Sequence, residues 1–368
     1  MLKPRFPGMA VLLVLLAATG GHTTAMADPH SMALARTCAE KARVFLDSLD
    51  SDQQKLAGQA FDEAKRRHWS YAPNVPQLTQ RLEGVALQDM SEPQRTAAHG
   101  LIACGLSSQG YQKSTSIMWL DDILAQTDLY RPMKNLPIGS PFYWLAVFGD
   151  PDGDEPWGWQ YEGHHLVLNF TVVDNEVIFA PAFMGADPAR VPDGERAGWR
   201  ILGAEMDKGL KLIRSLSADQ RKRAIIADEI PERIITGHGQ GDALKEYAGL
   251  PVSDLDAKQL LLFWSLVDEY IGNAADSVAR EHLNAIRTDG PEDIYFAWMG
   301  GTSADSGKYY RIHSPSLIVE FVTARDRQSP TRAPNPNHVH TIFRYAGNDF
   351  GTDMLRRHYA TSPGHQGE

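Results

Sequence analysis

The strand-forming residues of this chain fall into two blocks separated by a long helical stretch, and that division restricts the folds open to it. The first block lies between Pro132 and Gly203 and includes residues 143–149 and a hairpin pattern over 172–179 that turns at Asp174-Asn175. The second has strand patterns at 295–298, 309–313, 317–322 and 339–343, followed by a terminal helix around 353–359. A piece of two or three strands cannot bury enough apolar surface by itself. The economical arrangement therefore joins both blocks in one mixed or antiparallel sheet, and the fold class is α+β.

Helical patterning fills the remainder: most of 28 to about 129, then 204–227 and 258–285. An extended interruption falls at residues 69–74, where Pro73 forbids a helix. Four helix starts carry one signature, an acidic or hydroxyl residue followed three positions later by glutamine: Asp50 with Gln53, Ser91 with Gln94, Ser217 with Gln220, and Asp256 with Gln259. This is the capping box. Two pairs of similar helices are what an old internal duplication would leave, although nothing else repeats clearly.

Residues 1–27 read as an export signal: Lys3 and Arg5 are followed by an apolar run from Ala10 to Ala18, and Ala25-Met26-Ala27 offers small residues for cleavage before Asp28. That run is too short for a permanent membrane helix, no later stretch is long enough, and no cysteine stands at the cleavage point to carry a lipid. The expectation is a periplasmic or extracellular protein with no membrane attachment after cleavage. Its 341 mature residues form a single α+β domain, with a helical part at 28–130 and a sheet-bearing part at 131–368. Loss of Lys3 and Arg5 takes the formal net charge from −10 to −12. An acidic chain without a basic cluster repels phosphate backbones, so nucleic acid is excluded as a partner and a small-molecule substrate or ligand is expected. Oligomeric state is not legible. Cys38 and Cys104, the only cysteines, either close one disulfide in an oxidising compartment or remain two buried thiols, and spacing does not decide between them.

The chemistry concentrates in one short segment of each β block, Glu162-Gly163-His164-His165 and Asn337-His338-Val339-His340. In a strand, residues two apart share a face, so His338 and His340 can ligate one ion together. Adjacent His164 and His165 would face opposite ways, so one of them joins unless the backbone at Gly163 departs from a strand. Three imidazoles with an open position suit a divalent metal, zinc first, with iron or copper as alternatives. This arrangement resembles the ligand sets of carbonic anhydrases and cupins, although the surrounding order matches neither. The same histidines would also serve as polar residues on a sheet face. Glu162 and Glu320 are candidate ligands or general bases; Glu320 lies in an otherwise apolar strand and needs a partner, for which Arg311 and Arg344 compete with the site. Arg311, after two tyrosines, is a candidate anion clamp. Trp69, Tyr71, Trp157, Trp159, Tyr309 and Tyr310 line either a pocket or the core.

Several common signatures are absent. The Gly237-His238-Gly239 loop lacks the lysine of a phosphate loop, and neither a Gly-x-Ser-x-Gly elbow nor a His-Glu-x-x-His helix occurs. His358 is expected to cap a helix, and Asp353 with Arg357 to form a helical ion pair.

Trp69-Ser70-Tyr71, Trp157-Gly158-Trp159, Glu162-Gly163-His164-His165-Leu166, Tyr309-Tyr310-Arg311, the Glu320 strand, Asn337-His338-Val339-His340, Asn348-Asp349-Phe350-Gly351 and His358-Tyr359 occur in an order that resembles the uncharacterised family catalogued as domain of unknown function 3500. The resemblance covers nearly all of the mature chain and implies no established activity. The residues themselves point to an exported metal-dependent enzyme, hydrolytic ahead of oxidative, with a non-catalytic exported binding protein as the alternative.

Overall fold

A computed structural model describes residues 28–74, 82–127, 136–326 and 329–361; the expected export signal and the boundary at 130/131 lie outside the described residues. Both β blocks join one twelve-stranded mixed sheet, as an α+β fold requires. Its strands are β1 (Gly58–Gln59), β2 (Val85–Ala86), β3 (Tyr143–Phe148), β4 (Trp157–Gly163), β5 (Leu166–Val173), β6 (Glu176–Ala186), β7 (Ile225–Ala227), β8 (Leu250–Pro251), β9 (Tyr295–Gly300), β10 (Lys308–His313), β11 (Leu317–Arg325) and β12 (Pro334–Tyr345). The order is β1-β3-β4-β5-β6-β12-β11-β10-β9-β7, with β2 on β3 and β8 on β9. The hairpin at Asp174-Asn175 forms with both residues at positive φ, which their short side chains tolerate.

The helices are α1 (Pro29–Ser48), α2 (Ser51–Ala57), α3 (Glu63–Arg67), α4 (Glu92–Cys104), α5 (Ser108–Gln126), α6 (Gly203–Ser215), α7 (Ala218–Ala224), α8 (Ala257–Ile271), α9 (Asp276–Asp289) and α10 (Thr352–Thr361). All four capping boxes are present, at α2, α4, α7 and α8. Two expected helical runs are broken. The first divides into α6 and α7 at Ser217 and ends in strand β7; the second divides into α8 and α9 where Gly272 caps α8. The expected helical part likewise contributes β1 and β2 to the sheet.

The element order of β1 to β6 recurs in β7 to β12, and the recurrence extends to single atoms. The innermost pair, antiparallel β6 and β12, joins the two halves, and each outer edge ends in a parallel pair, β1 with β3 and β7 with β9. Gly84 (φ +99°) and Gly249 (φ +109°) open matching strands, and a Cβ on either would stand 2.3 Å from a carbonyl oxygen, of Leu145 or of Phe296. The capping glutamines match too. Gln53 and Gln94 bond to each other and to the carbonyls of Asp89 and Ser48, as Gln220 and Gln259 do to each other and to those of Asp254 and Ser215. Between the halves, Leu106 bridges Ala274, with Ser107 N–H donating to Asn273 O and Ala275 N–H to Gly105 O, each at 3.0 Å. The capping signature thus marks an internal duplication, in which glutamine both closes a helix start and ties it to its neighbour.

Alternation along the strands separates two cores. Trp157, Trp159, Tyr161, Leu166, Leu168, Val319, Phe321, Val339 and Phe343 face the helices in a large apolar cluster. Trp157 and Trp159 share that face, with ring centroids 5.3 Å apart, so they belong to the core. On the opposite face Val167, Phe183, Tyr309, Val322 and Ile342 are covered by Trp69, Ile230, Ile234 and Phe350, which come from segments crossing the sheet. The histidines of β12 lie on this second face.

Cys38 of α1 and Cys104 of α4 form a disulfide across 66 residues. The Cys38→Ser/Cys104→Ser variant should lose roughly 2–4 kcal/mol in urea unfolding under non-reducing conditions, because the unfolded chain regains the freedom of that loop. His282 of α9 is buried edge-on to Phe343 and Tyr345, and burial depresses its pKa to about 4 against a weaker opposing contact from the Phe179 backbone. It is neutral in the fold, while the unfolded chain takes up its proton below pH 6.5. Stability from this residue is complete above pH 6.5 and declines as the pH falls to about 4, by about 3 kcal/mol in all. Unfolding free energies measured from pH 7 to 4 should show a shallower acid slope in His282→Gln than in the parent.

Candidate metal centre

His338 and His340 stand two apart on β12 and point to the face away from the helices, as the strand period requires. The first histidine pair behaves differently. Gly163 pairs with Leu166, so His164 and His165 form the two-residue turn between β4 and β5 and are not strand residues. His165 adopts φ +63°, an uncommon conformation for a residue with a Cβ. Two backbone bonds hold it there: its N–H donates to Tyr71 O at 3.0 Å, and its carbonyl accepts from Gly185 N–H at 2.7 Å. The imidazole of His165 is thereby carried over β6 to the β12 pair.

Two glycines make room for this. A Cβ on Gly163 would lie 2.5 Å from the Tyr143 ring, and one on Gly185 would lie 2.8 Å from His165 Cδ2 and 3.0 Å from His340 Cδ2. Gly185 pairs with His340 across β6 and β12, so the missing side chain is the space that the two rings fill.

Nε2 of His338 is 3.0 Å from Nε2 of His165 and 2.9 Å from Nε2 of His340. An imidazole nitrogen carries either a proton or a lone pair in the ring plane, never both. His338 Nε2 can therefore hydrogen-bond with only one of these neighbours. A cation accepting all three lone pairs satisfies them together, and tetrahedral ligands at zinc–nitrogen distances stand roughly 3.3 Å apart. The donor set fits a divalent metal, and the group His165, His338 and His340 can hold one.

Carboxylates support the rings from behind. His338 Nδ1 is 3.4 Å from Asp187 Oδ2 at the end of β6, and burial pushes the Asp187 carboxyl up to about 6, against the opposing pull of His164. His164 lies against the His165 ring, with centroids 3.8 Å apart, and bonds through Nδ1 to Asp121 Oδ1 of α5 at 2.9 Å, with His165 Nδ1 3.8 Å from the same oxygen. Tyr143 Oη lies 2.8 Å from Asp121 Oδ2 and 2.6 Å from His164 O, fixing both. Asp121, His164 and His165 form a second group close enough to share an ion. Tyr71 and Phe183 stack at 4.1 Å, and both lie against His340, at 5.2 and 5.3 Å. His165 is 2% and His340 7% exposed, whereas the His338 side chain is 20% exposed, so the centre opens on the His338 side.

The other expected residues sit elsewhere on the same face. Glu162 accepts from Ser70 N–H at 3.1 Å, and burial drives its pKa up to about 8, so it holds a proton at neutral pH and is poorly suited as a base. Glu320 is not brought to the triad: it pairs with Ile342, while His340 pairs with Val322, and its oxygens accept from Ile235 N, Thr236 N, Thr236 Oγ1 and Tyr309 Oη. Arg344 donates to Thr236 O and Gly237 O and pairs with Asp349. Arg311 lies opposite Glu320 on β10. His238 packs edge-on to His68 and Trp69, His358 bonds to Asp174, and Asp353 pairs with Arg357.

Gly185→Ala should fold but bind metal at least ten-fold more weakly than the parent, because the added methyl displaces both rings; competition with a chromogenic zinc chelator, alongside circular dichroism, measures this.

No curated protein and no solved structure matches the chain. A family model described as "Protein of unknown function (DUF3500)" matches residues 32–352, a span holding both histidine segments, Asp121, Gly185 and Asp187. The chain belongs to the DUF3500 family of proteins of unknown function.

Proposed function

We propose that this protein is an exported metal-dependent hydrolase acting on a small-molecule substrate, with one divalent ion, zinc first, held by Nε2 of His165, His338 and His340. The supporting observation is the pair of contacts at His338 Nε2, 3.0 and 2.9 Å, which hydrogen bonding cannot satisfy at once. Three nitrogen ligands leave a tetrahedral ion one open position, the pattern of catalytic rather than structural zinc. When bound, such an ion acts as a Lewis acid and lowers the pKa of water toward neutrality.

The chain's own groups set the geometry. Asp187 beside His338 Nδ1 favours the tautomer whose Nε2 carries a lone pair, and the Asp121–His164 pair braces the turn that presents His165. Tyr71 and Phe183 shield the His340 side from water, leaving access beside His338. The N-terminal signal pattern and the Cys38–Cys104 bridge support an oxidising, exported setting. Iron or copper on the same ligands would turn the chemistry to oxidation.

Elemental analysis of tag-free protein should find a stoichiometric metal. His338→Ala and His340→Ala should each lose it while keeping the parent's circular dichroism. Hydrolysis of a panel of ester, amide and phosphoester substrates should stop on chelation and return with zinc. Unchanged metal content in both variants removes the centre; a retained metal without hydrolysis or oxidation leaves an exported metal- or ligand-binding protein.

A further inference from the structure

We infer that Arg311 and His313 of β10 form the floor of a second site, separate from the histidine triad, that binds a small planar carboxylate. Arg311 is 5% exposed, yet among the described residues no carboxylate oxygen lies within ion-pair distance of it; its side chain meets the neutral Tyr309 hydroxyl, and its Nε has no hydrogen-bond partner. Buried guanidinium groups ordinarily meet a carboxylate or several carbonyls, since an uncompensated buried charge is costly.

Its cross-strand neighbour Glu320 does not fill the role. A carboxylate offers about four lone-pair positions. Ile235 N and Tyr309 Oη occupy Glu320 Oε2, and Thr236 N and Thr236 Oγ1 occupy Oε1. That leaves no place for the arginine fork. The duplicated half makes the same point. Strand register places Gln160 and Asn169 where the second half has Arg311 and Glu320: Val85 and Leu250 pair with Leu145 and Phe296, which lead to Tyr161 and Ile312 and then to Leu168 and Val319. Gln160 Nε2 donates to Asn169 Oδ1 at 2.7 Å, a neutral pair that fills the position without charge. The fold therefore does not need an arginine here.

His313, two residues along the same face, is 5% exposed and its Nδ1 also lacks a hydrogen-bond partner. Burial and the charge of Arg311 hold its pKa down to about 4, against the Glu246 backbone, so it is neutral at pH 7. Tyr247 packs on His313 at 4.4 Å and stacks with Tyr295 at 5.5 Å. Tyr247 is 44% exposed and forms the outer wall, and the residue beside Arg311 on β9 is the small Ala297. A fork-shaped cation, a neutral imidazole and flat aromatic walls together recognise a carboxylate on a planar body. Arg311 lies two strands and two residues from His340, roughly 12 Å by strand spacing, so the site is separate from the triad.

The test is thermal unfolding of the full mature chain in increasing sodium benzoate at fixed ionic strength, with acetate and inorganic phosphate as comparison anions. Benzoate should raise Tm saturably and more strongly than acetate or phosphate. Arg311→Lys, which keeps the charge and loses the fork, should weaken the apparent affinity at least ten-fold, and Arg311→Met should abolish the rise. His338→Ala should keep it. No saturable rise in the parent, an unchanged response in Arg311→Lys, or loss of the response in His338→Ala, which would place the carboxylate on the metal, each overturns the inference. If Arg311→Met does not fold, Arg311→Lys decides.

Discussion

The antiparallel pairing of β6 with β12 is the contact on which the rest of the molecule depends. It joins the two halves of the sheet through Ala186, Gly185, Met184, Phe183 and Ala182 opposite Val339, His340, Thr341, Ile342 and Phe343. Both faces of this seam are buried, by Val339 and Phe343 toward the helices and by Ile342 and Phe183 on the other side. A slip of one residue would exchange the faces, carrying His338 and His340 into the apolar helix-side core and Val339 and Phe343 out of it. The same burial that fixes the register therefore aims the imidazoles. No separate scaffold is required.

The parts of this fold legible in sequence were those with a long enough period or a specific chemical signature. The strands at 309–313 and 317–322 alternate or run apolar over several residues, and all four capping boxes repeat a spacing set by helix geometry. Strands β1, β2, β7 and β8 span two or three residues, too few for any period, and exist because a neighbouring strand offers unpaired backbone groups. In the centre, His338 and His340 were legible as an i, i+2 pair. The roles of His164 and His165 were not, because strand-like composition continues through a turn that only the pairing of Gly163 with Leu166 reveals. Asp121 lies in a helix distant in sequence, and Gly185 acts by lacking a side chain. Asp187 follows β6 without any pattern that would mark it as a carboxylate beside an imidazole.

Duplication explains why the chemistry is lopsided. Two equivalent halves begin with equivalent options, but the β4–β5 turn carries His164-His165, where the β10–β11 turn carries Ser314-Pro315-Ser316. Divergence went the other way at the next pair, where the first half keeps Gln160 with Asn169 and the second carries Arg311 with Glu320. Charge also links the halves on the helix side. Lys113 of α5 pairs with Glu205 of α6 at 2.8 Å and with Glu269 of α8 at 2.5 Å, and Lys208 completes the cluster. Such a buried network contributes little over apolar packing, yet removal of one member costs about 3–5 kcal/mol, so it penalises misaligned halves more than it stabilises aligned ones.

The triad draws its members from both halves, so an ion held by all three would be coupled to their assembly. His165 belongs to the first half and His338 and His340 to the second, with His338 173 residues along the chain from it. In an unfolded chain the β12 pair can still meet an ion, but the third ligand must be brought across a long loop, so affinity for the complete site exists only once β6 and β12 are paired. An ion that binds the folded chain alone adds RT ln(1 + [L]/Kd), about 4 kcal/mol at a thousand-fold excess over Kd. That contribution falls on the seam itself. It would offset the unfavourable φ of His165 and the crowding of the His165 and His340 rings beside Gly185, which the chain otherwise holds in place through the Tyr71 and Gly185 backbone bonds. The unfavourable φ and the crowded rings thus sit at the joint on which the sheet depends, where a shared ion would stabilise the fold.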